Sequence, residues 1–145
     1  MTVPSKSPFV VALVTMLRTE MPVPFGDGEP PVDEPVPYGI VYSIEGGQFG
    51  GPPLIAPDAD AQFVVQVNCV GERRDQAESM LDGVRGLILG RDASGAFNTA
   101  ITAPTGWVIA GRWSDGGPAG VDYEGRPPSR LFTARERFVL AVTPE

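Results

Sequence analysis

The sequence predicts an α+β domain: a mostly antiparallel β-sheet with two helices packed on one face and long Gly/Pro-rich loops between elements. Three observations predict it. Apolar and polar residues alternate in several separate segments, as half-buried strands do. Two other segments carry apolar residues at the three-four spacing of helices. The order helix, strand, strand, helix, strand, strand lacks the strict strand–helix alternation of a parallel sheet, and so places a helical layer over an antiparallel one. The 145 residues suit one domain spanning 1–145, with a modest hydrophobic core.

Ser7-Pro8 opens the first helix, Ser7 as a cap and Pro8 at the first helical position. Phe9, Leu13, Met16 and Leu17 follow at helical spacing, and Val10, Val11 and Val14 widen the apolar face. Pro22 and Pro24 stop the helix near Glu20. Residues 21–37 interleave prolines with Asp27, Glu29, Asp33 and Glu34, and read as an extended acidic connection outside the packed elements. Val36, Tyr38, Ile40, Tyr42 and Ile44 then share one face of a strand, which Gly46-Gly47 is expected to end. Residues 46–57 read as a loop carrying Phe49, Leu54 and Ile55. Ala61, Phe63, Val65, Val67 and Cys69 form the apolar face of the clearest strand, broken at Gly71. The clearest helix follows over 73–89, with Ala77, Met80, Leu81, Val84, Leu87 and Ile88 as its stripe and Gly90 at its end. Gly83 and Gly86 each cost about 1 kcal/mol relative to Ala in a helix; close approach to a sheet would explain them. Trp107, Ile109 and Trp113 mark a further strand, and residues 114–130 a third long loop. The last strand, Leu131 to Thr143, has Phe132, Ala134, Phe138, Leu140 and Val142 on one face with Glu136 among them, and belongs inside the sheet.

Composition narrows the function. The chain has no histidine, which removes the commonest general base and metal ligand. Its single cysteine, Cys69, lies in an apolar run where a thiol acts as a small buried hydrophobe. The apolar stretch from Phe9 to Leu17 is too short to span a bilayer, and no small-residue cleavage site follows it; a soluble product made in the cytosol is expected. A net charge of -7 opposes binding to nucleic acid or anionic membranes. Arg73-Arg74 and the stretch Arg126, Arg130, Arg135, Arg137 have acids nearby and read as mixed solvated faces. Gly46 to Gly51 is glycine-rich but lacks the Lys-Ser/Thr ending and following helix of a phosphate loop. Asp58 and Asp60 lack the spacing and terminal Glu of a calcium loop. Trp107 and Trp113 flank Arg112, but packing is the default role for Trp. Neither a catalytic residue nor a cofactor or metal is expected.

One stretch is more specific. Residues 61–89 combine Val65, Gln66, Val67, Val70 and Gly71 with Arg74, Gln76, Ala77, Glu78, Asp82, Val84 and Arg85. This run resembles the central strand–helix unit of phage tail terminator proteins, in which an amphipathic strand passes at once into an apolar helix. The resemblance covers about a fifth of the chain closely. It implies a structural virion protein of a long-tailed phage: a homohexameric ring that caps the tail tube, ends its polymerisation and offers a surface for head attachment. The implied partners are further copies of the chain, the tail tube protein and a head-completion or connector protein, with DNA only passing through the lumen. On that reading the loops 46–57 and 114–130 contact neighbouring or axial partners. Phe49, Leu54, Ile55 and Tyr123 are the expected apolar anchors, and Arg112, Arg126 and Arg130 the expected cross-subunit ion-pair formers. Asp27, Glu29, Asp33 and Glu34 would line an acidic lumen. A head–tail connector or tail tube subunit is the alternative within the same particle. A small monomeric binding module is the alternative of another class, and a small hydrolase finds no nucleophile motif to support it.

Overall fold

The computed structural model describes residues 4–31, 35–49, 60–127 and 129–145, with the backbone alone for 46–49. The described residues form two helices, α1 (Lys6–Glu20) and α2 (Arg74–Leu89), and six strands: β1 (Phe25–Asp27), β2 (Tyr38–Phe49), β3 (Ala61–Gly71), β4 (Trp107–Ser114), β5 (Asp122–Glu124) and β6 (Leu131–Pro144). They make one sheet in the order β1-β2-β3-β6-β4, with β5 paired to β6 beside β4. Every pairing is antiparallel except β1 with β2. The fold is α+β, as the sequence predicts.

Alternation decides which face the helices cover. Phe63, Val65, Val67 and Cys69 of β3, Ala134, Phe138 and Leu140 of β6 and Val41 of β2 are buried. Most of them join one core with Val10, Leu13, Val14 and Leu17 of α1 and Ala77, Leu81, Val84 and Ile88 of α2. Both helices therefore lie on one face. Phe9 and Phe63, with ring centroids 5.5 Å apart, extend this layer toward Ala61 and Val142. β6 lies inside the sheet, between β3 on one side and β4 and β5 on the other.

Several expectations change in detail. The connection 21–37 does hold a packed element: β1 pairs through Phe25, Gly26 and Asp27 with Gly39 to Val41, and Phe25 is buried. The glycine pair 46–47 does not end β2, which runs on to Phe49 across a register shift between Ile44 and Gln48. Tyr38, Ile40, Tyr42 and Ile44 do share a face, but it is the helix-free one: Val41 points at the helices, opposite Val67. Residues 114–130 contain the short strand β5. Ser5, not Ser7, stands at the start of α1, and it makes no side-chain capping bond. Gly90 ends α2 in an extended conformation at φ -61°, and a Cβ there would meet the Gly86 carbonyl oxygen at 2.4 Å. Gly83 faces the Met21 side chain, not the sheet, and Gly86 faces open space.

The largest departure is in β4. Its register against β6 shifts between Ile109 and Gly111, which leaves Ala110 as an extra residue. Before the bulge, Trp107 and Ile109 point to the helical side with Val142. After it the parity inverts. Arg112 now lies opposite Leu140 on the covered side, while Trp113 lies opposite Val139 on the open side. The sequence pattern placed Trp107, Ile109 and Trp113 together because it contains no mark of the bulge.

Candidate functional site

The residues expected to make contacts do not converge. Phe49 ends β2, paired with Ala61 through its backbone. Leu54 and Ile55 lie outside the described residues. Arg112 is 6% exposed and acts within its own chain. Its Nη1 donates to the Thr99 carbonyl at 2.7 Å and lies 3.5 Å from that of Ile88, in the last turn of α2. That turn has no basic residue of its own, so β4 delivers the positive charge that a helix C-terminus favours. The Arg112 and Arg91 guanidinium carbons each stand 4.3 Å from the Phe97 ring centroid. Burial, and secondarily the Arg91 charge, hold Arg112 below the usual arginine range.

Tyr123 and Arg130, by contrast, meet on the surface on and after β5, and the exposed Arg126 lies on the turn between them. Tyr123 is 62% exposed. Its ring lies 6.1 Å from that of Phe132 across the β5–β6 pair. The Arg130 guanidinium carbon stacks 4.5 Å from the Tyr123 ring centroid, a cation–π contact. The turn that brings Arg130 back is closed by the Ser129 N–H donating to the Arg126 carbonyl at 2.8 Å, with Gly125 at φ +83°. That positive φ is where glycine is needed. Arg135 of β6 pairs with Asp122 of β5.

A second cluster was not anticipated. Glu136 is 2% exposed, in the row of β6 that faces α2. Arg85 Nε of α2 stands 2.8 Å from its Oε1, an ion pair off-line for a hydrogen bond. Ser114 Oγ donates to its Oε2 at 2.6 Å and accepts from the Gly117 N–H at 3.0 Å. One carboxylate thereby joins α2, β6, the end of β4 and the loop that leads to β5. An acid two residues from Ala134 and two from Phe138, inside an apolar row, was the signal for such a pair.

The helix-free face carries a transverse apolar row, Ile44, Val64, Val139 and Trp113. Beside it runs a polar ladder: Arg137 Nε donates to Gln66 at 3.1 Å, and Gln66 donates to Asn68 at 2.9 Å. Trp113 is 41% exposed and reaches over Gly111, where a Cβ would lie 3.3 Å from the indole. A shallow groove separates α1 from residues 100–104, lined by Val11, Ala12, Thr15, Ala103 and Pro104.

Among the described residues, no group of three Cys, Asp or Glu side chains is placed to hold a metal ion. No helix among them is long and apolar enough to cross a membrane. The arrangement leaves aromatic and guanidinium groups exposed at the β5 side of the sheet. In comparisons with known proteins, neither a family model nor a curated protein matches this chain.

Proposed function

We propose that the chain is a structural, non-enzymatic subunit of a phage tail, a terminator that caps the tail tube as a six-membered ring. The ring ends tube polymerisation and presents a surface to the head-completion proteins. The observation that carries this reading is the run 61–89, whose residues resemble the strand–helix unit of that family. In this protein the run supplies β3 and α2, with only Glu72 and Arg73 between them. Two features of the surface agree with an assembly role. Tyr123 is a large exposed aromatic side chain at one end of the sheet, beside Arg126 and Arg130. Tyr and Arg are the residue types enriched where protein interfaces concentrate their energy.

The test is to purify the chain and measure particle mass by light scattering across a concentration series, alone and with the tail tube protein of the same particle. Tube length is followed by electron microscopy. A sixfold ring at tube ends and shorter, capped tubes are expected. A strict monomer that leaves tube length unaltered would overturn the reading in favour of a small binding module.

A further inference from the structure

We propose that copies of this chain meet head to tail, the acidic turn beside β1 of one copy seating on the Tyr123–Arg126–Arg130 patch of the next. The choice of a second copy as occupant rests on the ring reading. The surfaces themselves come from the charge pattern and the sheet register.

The chain is electrically polarised along its sheet. From Thr19 to Glu72 every charged side chain is acidic. That segment supplies β1 and β2, at one end of the strand order, and the central strand β3. Asp27 and Glu29 are exposed there on a tightly built turn. Gly28 holds φ +74° and donates its N–H to the Val41 carbonyl at 2.8 Å. Gly26 has no room for a Cβ, which would fall 1.8 Å from the Glu29 carbonyl oxygen. The two carboxylates are thus displayed on fixed backbone, so docking them orders little chain. The nearest bases, Lys6 and Arg18 of α1, donate to the carbonyls of Ile44 and Phe25.

The opposite end carries the complement. Neither Arg126 nor Arg130 has an ion-pair partner among the described residues. Arg130 Nε is buried without a hydrogen-bond partner beneath this patch. Asp122 is already neutralised by Arg135, which leaves Glu124 as the unpaired acid beside Tyr123. Register places the two surfaces toward opposite edges of the sheet. Phe25 lies across from Gly39, Gly39 from Cys69 and Cys69 from Ala134. Thr133, next to Ala134, lies across from Asp122. Asp27 itself lies in the row of Val41, Val67 and Glu136, and Tyr123 in that of Phe132, so turn and patch are four strand spacings, about 19 Å, apart across the sheet and offset by four residues, about 13 Å, along β6.

Strand addition is not the route, because β1 and β4 are blunted and β5 is only three residues long. The hydrogen bonds from Gly39 to Pro24 and from Gly28 to Val41 turn the Phe25 carbonyl away from β2, and Arg18 occupies it. β4 carries the bulge at Ala110 and the inward charge of Arg112. Side chains must then make the contact. A contact between two different surfaces of identical chains is heterologous, and it closes into a ring when the rotation per copy permits. On this account Asp27 and Glu29 lie between subunits, not in the lumen.

The experiment uses three full-length variants: Arg126→Glu with Arg130→Glu, Asp27→Lys with Glu29→Lys, and all four changes in one chain. Each is checked for native circular dichroism and then run by analytical ultracentrifugation in low salt. Either double variant alone should lose self-association by about tenfold or more. The two mixed should associate again in alternation, since the native turn of one meets the native patch of the other and the reversed turn meets the reversed patch. The fourfold variant should associate again. Double variants that associate as the wild type does, or a wild type that stays monomeric throughout, overturn the proposal. A wild type that associates through these charges but leaves tube length unaltered supports this contact and sinks the terminator reading alone. Tubes capped normally by both double variants sink this contact alone.

Discussion

Cys69 lies in the row of β3 that faces the helices, and burial pushes its thiol up from 9.0 to about 12. Below pH 9 the thiol is protonated in both the folded and the unfolded chain, and its contribution to stability is intact. Above pH 9 the unfolded thiol ionises while the buried one does not, so stability falls as the pH rises toward 12. The unfolding temperature of the wild type should therefore fall more steeply above pH 9 than that of Cys69→Ala, even though the variant starts lower. Parallel curves across that range would show that the thiol is not buried as described. Arg112 shows what one residue can hide. Its position beside Trp113 in an alternating strand suggested a surface contact, yet its guanidinium is used at the C-terminus of α2.

Between elements, the Arg85–Glu136–Ser114 cluster ties α2 to β6 and to the loop before β5. Glu136→Ala leaves Arg85 without its partner and frees Ser114, and should destabilise the fold by about 3 kcal/mol. Glu136→Gln keeps a group for Ser114 and should cost about 1–2 kcal/mol. Urea unfolding of both variants checks the order; equal losses would mean that shape, and not charge or hydrogen bonding, matters at this position. The long elements were legible in the sequence because each carries a period. β3 alternates over eleven residues and α2 repeats its stripe over sixteen. The elements missed were β1 and β5, of three residues each, too short to show a period and defined by the strands they pair with. The extension of β2 past its glycines was hidden for a related reason: Gln48 and Phe49 are held by Gln62 and Ala61, partners that local sequence does not reveal.

For the whole molecule, charge separation across the sheet is the property that no single segment displays. The run of acids after Thr19 and the arginines after Gly125 are plain in the sequence. That Asp27 and Glu29 lie at the β1 edge while Arg126 and Arg130 follow β5 at the other side of the sheet follows only from the strand order. Fold class was legible because layers follow from patterning. The proposed contact surface was legible only as residue types, Tyr and Arg in a loop, because its position depends on which strand lies outermost. Association through such exposed charges should be salt-sensitive. Raising the salt from about 0.05 to 0.5 M shortens the screening length from roughly 14 to 4 Å, and should shift the wild type toward monomer in sedimentation. An unchanged or stronger association at high salt would point to apolar contact instead.

The extra residue in β4 has a consequence for how this chain can vary. Substitution at Ala110, which is exposed, alters one side chain. Loss of that residue would leave a regular ladder in which Arg112 still meets Leu140 on the covered side and Trp113 still meets Val139 on the open side. The position between Ile109 and Gly111 is therefore the one place in β4 where the chain can shorten by a residue without turning the strand over, and what the extra residue supplies is local bend and twist at the sheet edge.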